Sequence, residues 1–122
     1  MIWLWLMLSS AALGQTRLDA AIECAATARL MVYDCAIALA DRQGRPVDGA
    51  KFKLGADMPS MPMAHNVRPV EADSTDAPGR YRARLELEME GEWALRLEFS
   101  APRRDVVVKR LIFDDKGGRE GR

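Results

Sequence analysis

Three methionines and the only histidine of the chain fall within eight residues, Met58-Pro59-Ser60-Met61-Pro62-Met63-Ala64-His65. Thioether sulfur is neutral, polarisable and indifferent to pH, so it suits Cu(I), and imidazole nitrogen binds copper in either oxidation state. Pro59 and Pro62 each lack a backbone donor and fix φ, which excludes a regular helix or a central strand and predicts a stiff, extended loop. The competing explanation is packing, because methionine also fills irregular gaps and such a loop can plug the open end of a sandwich. Met1 and Met7 lie in an apolar leader, so three of the remaining five methionines sit in this one loop. That clustering favours a site.

Phase supports the same reading. Met61, Met63 and His65 are spaced by two, so an extended chain turns all three side chains to one side. Met58 is out of phase and needs a bend near Pro59 to join them. Met89 and Trp93 lie on the apolar side of a patterned segment, where core packing explains both. If their loop folds near Met61, Met89 could add a thioether and the Trp93 ring could shield the ion.

Nothing in the chain points to an enzyme. It has one histidine, no G-x-S-x-G, no H-E-x-x-H and no phosphate-binding glycine loop. Lys plus Arg and Asp plus Glu are equal at 18 each, without a block of like charge, so no patch suits nucleic acid. The carboxylates Glu86, Glu88 and Glu90 alternate with apolar residues and read as the wet face of a strand.

The elements that must carry the loop begin after a leader. Residues 2–8 are intensely apolar, and Ala12 and Gly14 stand at −3 and −1 of a cut before Gln15, the pattern of a cleaved signal peptide. The apolar run is well short of the ~20 residues of a membrane span. The expected location is therefore periplasmic or secreted, with no direct membrane span; an uncleaved anchor is the alternative, since no Lys or Arg precedes the run. In that setting Cys24 and Cys35, the only cysteines, are expected to pair. A metal-binding or redox role for them remains open beside this. A continuous strand would hold them roughly 35 Å apart, against a limit of about 7 Å for a disulfide, so the chain must reverse or coil between them. The Ala-rich residues 18–26 could supply a short helix for that purpose.

Period-2 patterning governs the remainder. Residues 81–89 are apolar at every odd position and charged at every even one, and residues 93–99 resume the same phase. A hairpin with the three-residue loop Glu90-Gly91-Glu92 would pair Met89 with Trp93 and keep the apolar sides together. Further strands are expected at residues 30–39, 50–54, 106–113 and 67–72, the last at an edge because it contains Pro69. Six or seven short strands predict an all-β fold, an antiparallel β-sandwich of immunoglobulin-like type.

The order of elements resembles a known family. The Gly44-Arg45-Pro46-Val47-Asp48-Gly49 turn comes first, then the Met58-to-His65 loop, Pro78-Gly79-Arg80-Tyr81 and the Met89-Glu90-Gly91-Glu92-Trp93 tip. Together they look like the YtkA-like or FixH-like domain of bacterial envelope proteins. The resemblance implies an immunoglobulin-like sandwich outside the inner membrane, in proteins associated with copper handling or copper-oxidase assembly. Carried over by position, Met58, Met61, Met63 and His65 are the metal candidates, with Met89 close by. The expected organisation is a signal peptide at 1–14, an N-terminal segment at 15–28 able to form a short helix, the YtkA-like sandwich at 29–114 and a flexible tail at 115–122. The expected function is Cu(I) sequestration or delivery to a membrane copper transporter or an oxidase-assembly protein. The alternative is a non-metal accessory module that uses the Met-rich loop as an adaptable contact.

Overall fold

The computed structural model describes residues 18–61 and 67–121, all of whose regular elements are strands. The expected leader lies outside these residues. In chain order the strands are β1 (Asp19–Ala26), β2 (Val32–Ala40), β3 (Lys51–Asp57), β4 (Val67–Glu71), β5 (Asp73–Ser74), β6 (Arg80–Glu86), β7 (Gly91–Ala101), β8 (Asp105–Phe113) and β9 (Gly117–Glu120). They hydrogen-bond in the order β4-β3-β7-β8-β9-β1-β2-β6-β5, and every pairing is antiparallel.

Strands β4-β3-β7-β8 make one layer and β1-β2-β6-β5 the other. Alternation decides what lies between them. Ile22, Cys24, Tyr33, Cys35, Ile37, Tyr81 and Leu85 point inward from one layer, and Phe52, Leu54, Trp93, Leu95, Leu97, Leu111 and Phe113 from the other. Rings meet across the gap, Tyr33 against Phe113 with centroids 4.9 Å apart and Phe52 against Tyr81 at 5.3 Å. No polar or charged residue is buried among the described residues. The expected antiparallel β-sandwich is thus present, with nine strands rather than six or seven.

Both edges of the sandwich are joined. On one side β9 pairs with β8 and with β1. On the other, the chain pairs with β3 as β4, donates the Ala72 N–H to the Phe52 carbonyl, and then pairs with β6 as β5. Pro69 lies in β4, at the end of the strand order where an edge was expected.

Three expectations are corrected. Residues 19–26 form strand β1 and no helix. Ala20, Ile22 and Cys24 are buried on one face while Asp19, Ala21 and Glu23 are exposed, so burial overrides the weak helix preference of alanine. The C-terminal segment is not a free tail, because Gly117–Glu120 is β9. Its glycines are required there: a Cβ at Gly118 would enter the Phe113 ring, and one at Gly117 would strike the Cys24 carbonyl. Finally, residues 81–89 and 93–99 do not form a hairpin. β6 pairs with β2 and β5 whereas β7 pairs with β3 and β8, so residues 87–90 carry the chain from one layer to the other. Alternation records which side of a strand is buried, not which strand lies beside it.

The cysteines are joined by a disulfide. Cys24 and Cys35 are directly opposed in the β1–β2 pair, and the chain reverses between them through residues 27–31. Pairing leaves no thiolate for a metal or a redox couple. At the far end of the sandwich the Tyr81 hydroxyl donates to the Val47 carbonyl (2.7 Å) and accepts from the Ala50 N–H (3.0 Å), while the Gly79 N–H donates to the Asp48 carboxylate (2.6 Å). Two of the motif elements that carry the family resemblance therefore lock to each other at that end.

Replacing both cysteines with alanine is expected to cost about 2–4 kcal/mol in urea unfolding. Gly118→Val is expected to cost about 1–3 kcal/mol by overpacking against Phe113. Lys116→Ala, on the exposed turn just before β9, should stay within about 0.5 kcal/mol; a Gly118→Val protein as stable as wild type would contradict the packing of β9.

Candidate functional site

One end of the sandwich collects four connections. These are the β1–β2 turn at 27–31, the loop leaving β3 at Met58, the 87–90 connection and the β8–β9 turn at 114–116. Every described methionine, Met31, Met58, Met61 and Met89, belongs to this pole. Registers place them: Val32 opposes Glu86 in one layer, and Gly91 opposes Phe113 while Asp57 opposes Ala94 in the other.

The predicted loop does not begin extended. The Met61 N–H donates to the Met58 carbonyl at 2.9 Å, closing a β-turn with Pro59 at its second position, where a fixed φ is favoured. The bend expected near Pro59 is there, and the two methionines at its ends differ in burial. Met58 is 5% exposed and joins the core, whereas Met61 is 40% exposed. Met63 and His65 lie outside the described residues.

Met58 does bring the loop to the other candidate segment. A Cβ at Gly91 would stand 3.2 Å from Met58 Cε, so the loop's first residue packs against the end of the 87–90 connection. Gly91 has φ +127°, a conformation open to glycine and poorly tolerated by other residues. Met89 is half-buried against the core, and its carbonyl accepts from Trp93 Nε1 at 3.0 Å. Trp93 itself is 0% exposed and is a core residue; its ring is not free to cover an ion.

Sequence reasoning passed over Met31. It ends the β1–β2 turn with φ +65°, the only described non-glycine residue in the left-handed region. Its carbonyl accepts from the Leu87 N–H at 3.0 Å, and its sulfur lies 4.0 Å from the Tyr33 hydroxyl. The signal available was indirect: a turn must fall between Cys24 and Cys35 if they pair, and Met31 lies in that interval.

The pole is also acidic near Tyr33. Burial pushes the Tyr33 hydroxyl pKa up, and the carboxylates of Glu90, Asp114 and Asp115 push it further. The hydroxyl donates to the Asp114 carbonyl at 3.1 Å. Asp114 is held below the usual carboxylate range, first by the Lys116 N–H, then by the Gly117 N–H and the Arg119 guanidinium. Among the described residues no three His, Cys, Asp or Glu side chains converge.

The fold and its pole define a class: a small antiparallel β-sandwich with a soft, methionine-bearing end. Residues 31–98 match the family model described as YtkA-like, more than half of the 122 residues, and the chain belongs to that family. No curated protein and no solved structure matches the chain. The matched span begins at Met31 and takes in the Met58 loop and the 87–90 connection.

Tyr33 gives the pole an alkaline signature. Its folded pKa is raised above the unfolded value of about 10, so the stability contributed by the neutral phenol is complete below that pH and is lost as pH rises through the folded value. The urea midpoint is expected to fall above about pH 10 more steeply in wild type than in Tyr33→Phe. Parallel slopes would contradict the buried, acid-flanked environment.

Proposed function

We propose that this protein is an extracytoplasmic Cu(I)-binding protein that holds its cargo with Met61, Met63 and His65 and either sequesters it or passes it to a membrane transporter or oxidase-assembly partner. The observation that carries the reading is the gathering of the described methionines at the pole from which this loop departs, with Met61 half-exposed on its outer side. Soft neutral donors fit a monovalent soft ion and offer little to Mg²⁺ or Ca²⁺. The disulfide removes the two thiols that would otherwise compete for copper, and it suits an oxidising compartment. Met58 then acts as the anchor that seats the loop against Gly91, and Met89 stands behind it.

A non-metal contact role is the second reading, favoured by the exposure of both Leu30 (83%) and Met61 (40%) in loops at the same pole. Anaerobic titration of the oxidised protein with Cu(I) against a competing chromogenic chelator separates the two. Wild type is expected to take up Cu(I) stoichiometrically, the Met61→Leu/Met63→Leu/His65→Ala variant to lose at least about tenfold in affinity with an unchanged circular dichroism spectrum, a loss of ~1.4 kcal/mol, and Met58→Leu to retain uptake. Failure of the wild type to compete with a weak chelator would leave the contact surface as the function.

A further inference from the structure

The 87–90 connection meets a methionine residue at each of its ends. At its start the Leu87 N–H is bonded to the Met31 carbonyl at 3.0 Å, and just past its end Gly91 meets Met58 Cε. Met89 sits midway, two residues from Leu87, a distance of at most ~7 Å along the chain. Met58 is buried in the core, whereas Met31 and Met89 are both half-buried. Each side chain has three rotatable bonds with which to adjust its sulfur position.

The sulfur of Met31 is not committed to its neighbour. A tyrosine hydroxyl carries one proton, and the Tyr33 hydroxyl is 3.1 Å from the Asp114 carbonyl but 4.0 Å from Met31 Sδ. The stronger bond goes to the carbonyl, which leaves the thioether lone pairs available. Backbone geometry then holds Met31 in place, since a left-handed φ of +65° at a non-glycine residue persists only when its surroundings fix it. The carboxylates that raise the Tyr33 pKa, those of Glu90, Asp114 and Asp115, lend the same negative field to a cation lodged beside Met31.

We propose that Met31 and Met89 form a second thioether position for a monovalent soft cation, made by residues other than Met61, Met63 and His65. The identity of the cargo as Cu(I) rests on the function proposed above, but the site itself is tested independently of the loop. A position of this kind would let an ion captured on the loop be held a second time by the same protein.

The probe is Ag(I), a redox-inert stand-in for Cu(I), added to the protein carrying ¹³C-methyl methionine and followed by ¹H–¹³C correlation, with signals assigned by single Met→Leu replacements. In the Met61→Leu/Met63→Leu/His65→Ala protein, the Met31 and Met89 methyls are expected to shift together and to saturate by about one equivalent, as a single shared ion requires. Met31→Leu introduced into that background should abolish the Met89 shift, and an unchanged spectrum without silver shows that the fold has survived. If Met31 or Met89 stays still while Met61 and Met63 move in wild type, this inference fails and the loop site stands. Movement of Met31 and Met89 with Met61 and Met63 silent would keep the inference and remove the loop as the primary site. Silence of every methyl in wild type overturns both.

Discussion

The passage of the chain from β6 to β7 across the end of the core is the constraint on which the rest of the molecule depends. Because residues 87–90 change layers, Tyr81, Ala83 and Leu85 face Trp93, Leu95 and Leu97 across the core instead of standing beside them in one sheet. Leu87 is buried as it crosses and draws the Met31 carbonyl onto its N–H. Gly91 admits Met58 at the other side. A hairpin at the same place would have spent Met89 and Trp93 on each other, and neither the β1–β2 turn nor the Met58 loop would have had a partner at this pole.

The two sides of the sandwich are closed to different degrees, by β9 on one and by the short strands β4 and β5 on the other. β9 is shorter than its neighbours β1 and β8, and Glu120 completes what the missing residues would have done. Its carboxylate accepts from the Ile22 N–H at 3.1 Å and pairs with Lys109 at 3.3 Å. Lys109 lies in phase with Leu111 and Phe113 on the inward side of β8, where a charge opposes the approach of a foreign strand. The opposite edge is covered by one stretch of chain that pairs first with β3 and then with β6, and it contains Pro69, which cannot donate to a ladder.

Strands were legible wherever charged and apolar residues alternated. In β6 and β7 the contrast between Arg or Glu and Leu, Tyr or Trp is complete, and burial follows it position by position. β1 was hidden because alanine occupies exposed and buried positions alike, so Ala21 and Ala25 erase the contrast that Asp19 and Glu23 supply. β9 was hidden for a different reason: two glycines and two charged residues show no hydrophobic period, and the need for them arises from the Phe113 ring and the Cys24 backbone, groups brought together only by folding. At the candidate site the clustering of Met58, Met61 and Met63 along the chain was legible as composition, and Met89 was set near it only by the family resemblance; the separate roles of Met58, Met61 and Met89 were not legible. Phase along an extended chain could not foresee that Pro59 would turn Met58 inward, and nothing local marks Met31 as the neighbour of Leu87.

The family match divides the molecule along a physical line. Residues 31–98 contain β2-β6-β5 and β4-β3-β7, two three-stranded layers joined at one edge by the β4–β5 crossing. Both poles are already in this part, the Tyr81 and Asp48 lock at one end and the methionines at the other. Alone, however, its second edge would stand open, with Tyr33 facing no Phe113 and Trp93 facing no Leu111. β1, β8 and β9 supply those residues, and the disulfide fastens β1 to β2 where the added strands meet the matched part. The closing strands thus act on the methionine pole indirectly: the Asp114 carbonyl that accepts the Tyr33 hydroxyl comes from the turn between β8 and β9.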